Sequence, residues 1–299
     1  MKLPLTPKEF RAIIMSHGYF WLAPVIGTET PPSIIIPYNL PKKKGCLRIY
    51  TSGRNVELET LAGSESTAKE MAGLCLSLDE DLKPLRKIAR TSDEWTWLID
   101  EKKGRFLRSP SLYEDCMKAV FTINIQWKRS VQMSIAATKE LGLPTGAKLD
   151  GKAIRAFPKP DKIAKEDAES LRGMLNCGFR AKFMLSLADA AMDGPEIYLG
   201  DGWRSLSADE FCREIGSVSG MGPMSVAYVS RLYGKTNTYH MDSWVIRKCA
   251  ELWGLSENDV AAYVEQRYRD FGNLGPAVFW FELTRSWHYS ADEIEQLGL

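Results

Sequence analysis

The 299-residue sequence contains few cysteines, and they are scattered along the chain. No two of them form a CxxC pair or a short-spaced cluster of the kind that zinc sites and iron–sulfur clusters use. The pattern therefore argues against a metal centre and against a disulfide scaffold, and it predicts reduced thiols in an intracellular protein. The six residues are Cys46, Cys75, Cys116, Cys177, Cys212 and Cys249.

The sequence also lacks a long apolar segment and a strong excess of charge. Its apolar runs are short, and the first residues carry prolines and charges instead of the apolar core of a signal peptide. We therefore expect a soluble protein without a membrane partner. The net charge of +1 does not identify a nucleic-acid-binding protein. It does not exclude one either, because such binding depends on how charge is distributed over a surface.

Short β-type segments occupy the first part of the chain. Residues 33–38, 46–51 and 56–61 are rich in β-branched and aromatic side chains and are separated by turn-forming residues. Residues 18–24 are a candidate for a further strand. Together these segments predict a small antiparallel sheet in an N-terminal domain of residues 1–75.

From about residue 78 the apolar residues recur at intervals of three and four, which is the spacing of amphipathic helices. We predict a helical domain over residues 76–299, and hence an α+β protein that is predominantly α. The candidate helices lie around residues 82–88 and within residues 113–142, 164–175, 180–192, 208–215, 224–233, 243–253, 258–271 and 291–297.

A glycine-rich turn separates two of these predicted helices. One helix ends near Gly216, and the next begins at Pro223, which the first turn of a helix accepts. Between them, Gly220 and Gly222 permit positive φ angles and the close approach of another backbone. The amides at the start of the second helix point outward, where they are able to hold an anion such as a phosphate. Taken alone, the stretch also fits an ordinary helical hairpin.

A single aspartate opens a later predicted helix. Asp242 stands directly before Ser243-Trp244-Val245, and aspartate is a favoured N-cap residue, so capping alone would explain it. His240 lies two residues earlier. Because residues that flank a helix start usually face different ways, the sequence does not pair His240 with Asp242.

The glycine turn and the aspartate together resemble the signature of the helix-hairpin-helix DNA glycosylases. Ser219-Gly220-Met221-Gly222, followed by Ser225-Val226-Ala227, is similar to the hairpin of that family. Residues 241–247 are similar to the segment that carries the family's characteristic aspartate. The resemblance implies that the helix-hairpin-helix motif spans about residues 210–234.

Segments upstream follow in the family's order. Residues 111–127 resemble the helix and polar loop that fill the gap left by an extruded base. Residues 157–160 look like the phenylalanine–proline segment of the 8-oxoguanine and 3-methyladenine glycosylases, and residues 178–181 like their Gly-Tyr-Arg-Ala segment, with Phe in place of Tyr. Those two branches also carry a β-rich N-terminal domain. The resemblance covers most of residues 75–290.

The resemblance implies roles for individual residues. Asp242 would be the catalytic carboxylate, which stabilises the positive charge that develops on the deoxyribose and orients or activates a water molecule. The loop residues Asn124 and Gln126 would occupy the space vacated by the flipped base. Further candidates for phosphate contacts, each of which also fits a solvated surface position, are Arg180, Lys182, Lys235 and Arg247. The phosphate-binding hairpin would consist of Gly220, Met221, Gly222 and Ser225.

The same resemblance implies the partners of the protein. They are duplex DNA that contains a damaged base, bound by a monomer, in the nucleoid or cytoplasm of a prokaryote or the nucleus of a eukaryote. No cofactor, no iron–sulfur cluster and no metal bound by side chains is expected. The family pattern does allow a monovalent cation held by the backbone of the hairpin.

One position in the hairpin predicts how far the reaction proceeds. Glycosylases of this family that also cut the DNA backbone carry a lysine four residues after the first hairpin glycine, where it forms a Schiff base with the sugar. In this sequence that position is Met224, and no lysine occurs between Gly216 and Gly234. The resemblance therefore implies a monofunctional enzyme that releases the base and leaves an abasic site.

The class of the released base is open at this point. Electron-rich aromatic rings stack well on cationic alkylated purines. With Tyr228 and Trp280 as candidate pocket residues, an alkylated purine is the first expectation. A glycosylase for an oxidised or deaminated base, such as 8-oxoguanine or hypoxanthine, is the alternative. A non-catalytic protein that binds DNA damage on the same scaffold is a further one.

Overall fold

The computed structural model describes residues 1–236 and 238–285. They form an N-terminal sheet joined to a larger helical body, so the predicted fold class, α+β and predominantly α, is confirmed. The predicted helix over residues 291–297 lies outside the described residues. Among the described helices, none has the length and apolar character that crossing a membrane requires.

The N-terminal sheet has five antiparallel strands in the order β1-β5-β4-β3-β2. Three of them, β3, β4 and β5, confirm the three strands predicted from residue type. Cross-strand pairs such as Ile34–Ile49 and Ile36–Leu47 lie on the face that packs against two helices. The elements are β1 (Lys2–Leu3), α1 (Pro7–Ile14), β2 (Ile26–Glu29), β3 (Pro32–Leu40), β4 (Lys43–Ser52), β5 (Asn55–Ala62) and α2 (Glu65–Cys75).

The opposite face of this sheet is covered by a hairpin that the sequence analysis did not predict. Strands β6 (Leu143–Leu149) and β7 (Lys152–Ala156) are joined by Asp150 and Gly151, which both have positive φ, 49° and 78°. Positive φ at both central residues is the geometry of the two-residue turns that join antiparallel strands. Ile154 packs there with Ile35 of β3, so that β3 is buried on both faces.

The prediction of a strand over residues 18–24 is wrong. Residues Gly18–Trp21 form a 3-10 helix instead. The ring of His17 accepts a hydrogen bond from the amide of Tyr19 at 3.3 Å, which turns the chain at the start of this segment. The aromatic side chains that favour a strand are used here for burial, and Tyr19 is only 1% exposed.

The helical body contains the remaining helices and most of the predicted ones. The long candidate region 113–142 divides into two helices, α5 and α6, with a loop of residues 122–126 between them. The helices are α3 (Lys83–Ala89), α4 (Thr96–Asp100), α5 (Leu112–Phe121), α6 (Trp127–Leu141), α7 (Pro160–Ile163), α8 (Ala168–Leu175), α9 (Arg180–Asp193), α10 (Pro195–Tyr198), α11 (Ala208–Gly216), α12 (Pro223–Leu232), α13 (Ser243–Trp253), α14 (Val260–Arg267) and α15 (Gly275–Leu283).

Helix α12 is fixed at its C-terminal end by buried polar contacts. The Arg108 side chain donates from Nε to the carbonyl of Leu232, the last residue of the helix, at 2.8 Å. The adjacent Tyr233 donates its hydroxyl hydrogen to the Asp115 carboxylate of α5 at 2.7 Å. Because α12 begins at the glycine turn and ends at these contacts, they fix the position of the turn relative to the body.

Candidate active site

A cavity of about 890 Å³ lies where the glycine turn, the loop before α6 and the start of α13 meet. Except for Met221, all the residues predicted for catalysis, for the phosphate-binding hairpin, for the base pocket and for the gap-filling loop line this cavity. They come from distant parts of the chain, and the fold brings them together. The residues are Asn124, Gln126, Gly220, Gly222, Met224, Ser225, Tyr228, Asp242 and Trp280.

The two hairpin glycines serve different purposes. Gly220 has a φ of 91°, and a Cβ atom at this position would overlap the ring of Phe183. The fold itself therefore requires a glycine there. Gly222 has ordinary extended backbone, and a Cβ atom there would have no other atom within 4 Å. The open space in front of Gly222 is thus available to another molecule.

The amides around Gly222 face this open space. Met221 closes the turn, because its amide donates to the carbonyl of Val218 at 3.0 Å and its side chain is buried. By contrast, the amides of Gly222, Met224 and Ser225 donate no hydrogen bond within the described part of the chain. They stand at the N-terminus of α12, where unpaired N–H groups and the helix dipole together favour an anion.

Asp242 caps helix α13 and also faces the cavity. Its Oδ1 accepts a hydrogen bond from the amide of Val245 at 2.8 Å, as the N-cap prediction requires. Its Oδ2 lies 3.0 Å from Nε2 of His240. The side chain of Asp242 is 44% exposed and that of His240 only 11%. The carboxylate is therefore held in position by His240 and Val245 and remains open to the cavity.

His240 is paired with Asp242, contrary to the expectation from the sequence. Its Nδ1 lies 3.0 Å from the carbonyl oxygen of Met224, and its Nε2 faces the carboxylate of Asp242. Both neighbours are acceptors, so both bonds form together only when the ring carries two protons. The His240 ring therefore bridges the first turn of α12 and the carboxylate of Asp242.

The pKa of Asp242 is lowered from its ordinary value. Burial acts in the opposite direction and raises the pKa, because it penalises the charged carboxylate. The hydrogen bond from His240 and the amide of Val245 outweigh burial. As a result, the carboxylate stays ionised at a lower pH than an ordinary aspartate does.

Two aromatic rings that line the cavity are held by residues from the N-terminal part. His17 Nε2 donates to the carbonyl of Leu107 at 2.7 Å, which leaves Nδ1 as an acceptor for the Tyr228 hydroxyl at 2.9 Å. Burial, more than any other factor, lowers the pKa of His17 to about 3, so the ring is neutral. Trp280 donates its indole hydrogen to the carbonyl of Ser16 at 3.0 Å. Both rings therefore have fixed orientations.

The loop between α5 and α6 is braced from behind by Arg180. The guanidinium donates from Nε to the carbonyl of Ile123 at 2.9 Å and from a terminal nitrogen to that of Asn124 at 3.1 Å. Arg180 is only 4% exposed, so it supports the loop and does not offer a phosphate contact. Lys235 likewise donates to backbone carbonyls. Asn124 itself is exposed, with a φ of 46°.

In the part of the chain that the structure describes, no set of side chains is arranged to bind a metal ion. No three His, Cys, Asp or Glu side chains there lie close enough together to hold an ion. The six cysteines are free thiols, and five of them are buried. The polar groups that line the cavity include backbone amides and the Asp242–His240 pair, which suit anion binding and the stabilisation of positive charge.

Comparison with solved structures identifies the fold. The 3-methyladenine DNA glycosylase of Archaeoglobus fulgidus aligns over 96% of this chain and 98% of its own, with 17% identity and a TM-score of 0.71. The 8-oxoguanine glycosylase/lyase of Clostridium acetobutylicum, solved with double-stranded DNA containing cytosine opposite 8-oxoguanine, aligns over 91% and 92%, with 16% identity and a TM-score of 0.64. Neither a protein-family model nor a curated protein sequence matches. The predicted fold, that of these DNA glycosylases, is confirmed.

Removal of the His240 ring is expected to raise the pKa of Asp242. In His240→Ala the carboxyl group remains partly buried, but it loses the charged hydrogen bond that outweighs burial. An NMR titration of the Asp242 carboxyl carbon, assigned with Asp242→Asn, measures the change. His240→Gln keeps an N–H donor without the charge and is expected to give a smaller rise. An unchanged pKa in His240→Ala would contradict the pairing.

Proposed function

On a fold shared with 3-methyladenine and 8-oxoguanine DNA glycosylases, we propose that this protein is a monofunctional DNA glycosylase. It would flip a damaged purine out of duplex DNA, hydrolyse the N-glycosidic bond and leave an abasic site. The observation that supports this most is the composition of one cavity. Unpaired amides at a helix N-terminus, a fixed carboxylate and two aromatic rings all line the same space.

DNA binding is proposed to start at the glycine turn. The free amides of Gly222, Met224 and Ser225 would hold a phosphate of the damaged strand, which sets the position of the protein without reading sequence. The exposed Asn124 and Gln126 would enter the space that the flipped base leaves. Flipping costs a few kcal/mol, and least for a damaged or mismatched base. The cavity of about 890 Å³ has room for a purine and its sugar.

The proposed chemistry takes place at C1′ of the deoxyribose. The C1′–N bond breaks with its electron pair on the base, and positive charge develops on the sugar. Asp242, held by His240 and the amide of Val245, would stabilise that charge without having to reorient. A water molecule then adds to C1′, and the proton that it loses ends on the released base. No bound cofactor takes part.

The absence of a hairpin lysine is the reason to propose that the reaction stops at the abasic site. Met224 lines the cavity at the first turn of α12, and its thioether cannot form a Schiff base. Lys128 also lines the cavity, but it belongs to the first turn of α6, beside the loop that carries Asn124.

A non-catalytic role in damage binding is less well supported. Capping of α13 explains the contact of Asp242 with Val245, but it does not explain the second contact, with His240, or the exposure of the carboxylate to the cavity. Stacking on Tyr228 and Trp280 suits a purine of any kind, because every base offers a π face. Stacking alone therefore does not distinguish a cationic alkylated purine from a neutral one.

Base release is the direct test of the proposed function. We expect duplexes that carry hypoxanthine, 8-oxoguanine, uracil or 7-methylguanine to include a substrate whose strand breaks only after alkali. Asp242→Asn is expected to slow the single-turnover rate by at least about 100-fold. Asparagine caps a helix as well as aspartate does, so the variant should keep its stability and DNA affinity. Full activity of Asp242→Asn, or strand cleavage without alkali, would refute the proposal.

Two alanine substitutions test whether Gly220 is required for stability and Gly222 for DNA binding. Gly220→Ala is expected to lower the free energy of unfolding by at least about 1 kcal/mol, because it forces a positive φ on alanine and overlaps Phe183. Gly222→Ala is expected to leave stability within about 0.5 kcal/mol and to weaken DNA binding about tenfold, since a methyl group would keep a phosphate from the amides. Thermal unfolding and fluorescence anisotropy measure the two effects. Undiminished DNA binding by Gly222→Ala would contradict the proposal that the turn binds a phosphate.

A further inference from the structure

A buried arginine lies directly behind the aromatic lining of the cavity. The Arg231 side chain belongs to α12 and is 2% exposed. Its Cζ atom is 4.0 Å from the ring centroid of Trp280, 4.8 Å from that of Tyr228 and 5.7 Å from that of Phe106. In the described part of the chain, none of its three guanidinium nitrogens has a hydrogen-bond partner. The π faces of aromatic rings thus surround this charge at close range.

The guanidinium stays charged in spite of its burial. Burial lowers the pKa of Arg231 to about 10, while Tyr228, Tyr19 and Asp242 act in the opposite direction. A group with this pKa carries a full positive charge at neutral pH. Asp242 is the carboxylate among these influences, so the buried cation and the proposed catalytic anion interact through space.

The ring of His240 approaches the same two aromatic rings. His240 bridges the carbonyl of Met224 and the carboxylate of Asp242. Its ring centroid is 5.8 Å from that of Tyr228 and 6.3 Å from that of Trp280, and both contacts are edge-on. The rings that would receive a flipped base therefore already stand beside the positive charge of Arg231 and beside the ring of His240.

The charge of Arg231 decides which purine the rings are able to accept, if the protein is the glycosylase proposed above. We propose that Arg231 makes the cavity selective for an uncharged damaged purine, of the oxidised or deaminated class, over a cationic alkylated purine. Arg231 does not line the cavity, so a base meets Trp280 and Tyr228 from a different side than the guanidinium does. A cationic base would be repelled across the rings by a charge that water does not screen. A neutral base stacks without that repulsion.

The charge on the departing base gives a second reason to expect a preference for neutral purines, in the step that breaks the C1′–N bond. A neutral purine takes the electron pair of the C1′–N bond and departs with a negative charge until it gains a proton. A fixed cation behind the rings stabilises that charge in a site of low dielectric constant. A cationic alkylated purine takes the same electron pair and departs neutral, so Arg231 gives it no comparable help. Arg231 would thus favour neutral purines in binding and in reaction, acting through the rings.

The test compares single-turnover release of neutral and cationic bases. Duplexes with hypoxanthine or 8-oxoguanine provide neutral purines, and a duplex with 7-methylguanine provides a cationic one, with spontaneous loss subtracted. We expect the wild-type protein to release a neutral purine at least tenfold faster than 7-methylguanine. In Arg231→Met, which keeps the length of the side chain and removes the charge, that ratio is expected to fall at least tenfold. Arg231→Lys keeps a charge and is expected to retain most of the preference.

A matched control is Arg285→Met, which removes another arginine that stacks on a tryptophan, with Cζ at 4.5 Å from the centroid of Trp97. Its ratio should equal that of the wild type. Faster release of 7-methylguanine by the wild-type protein would overturn the inference, even if Arg231→Met failed to fold. An unchanged ratio in folded Arg231→Met would overturn it as well. Release of no base from any duplex would instead contradict the proposed function, and this inference with it.

Discussion

The carboxylate of Asp242 is fixed by one hydrogen bond to each oxygen, and the candidate site is organised around that constraint. One oxygen caps α13, and the other is held by His240, which reaches back to the carbonyl of Met224. The pair of contacts ties the carboxylate to the first turn of α12. Because the same turn presents the free amides, the distance between these amides and the carboxylate is set by the protein before any ligand arrives. Such preorganisation is the largest source of electrostatic catalysis in proteins.

The position of α12 depends in turn on the N-terminal part of the chain. His17 and Ser16 bind Tyr228 and Trp280, and Asp115 holds the far end of α12 through Tyr233. The segment that follows the first helix therefore orients the floor of the cavity, although the sheet itself stays at a distance from it. The cost of this design is a desolvated charge, Arg231, packed against the same rings. The proposed function of this buried charge is the preference for neutral purines.

Local sequence patterns were sufficient for the main strands and most helices, because strand pairs and amphipathic helices follow residue spacing. The expectation that the site residues act together came from the family resemblance and not from those patterns. These patterns were insufficient where a tertiary contact determines the local conformation or the partners of a side chain. Residues 18–24 look like a strand and become a 3-10 helix because His17 caps them. The turn at Asp150-Gly151, by contrast, carries a recognisable hairpin signal in its residue types. The pairing of His240 and the burial of Arg231 left no trace in residue spacing, since both depend on how separate helices meet.

Reductive trapping tests most directly whether the sugar lies between α12 and Asp242. We expect Met224→Lys to form a borohydride-stable adduct with duplex DNA that contains an abasic site, because its amine would reach C1′ in the cavity. The wild-type protein and the control Met224→Gln should form none. A failure of folded Met224→Lys to be trapped would contradict the placement of C1′ in this cavity. An adduct with the wild-type protein, lost in Lys128→Ala, would contradict the proposal that the reaction ends at the abasic site.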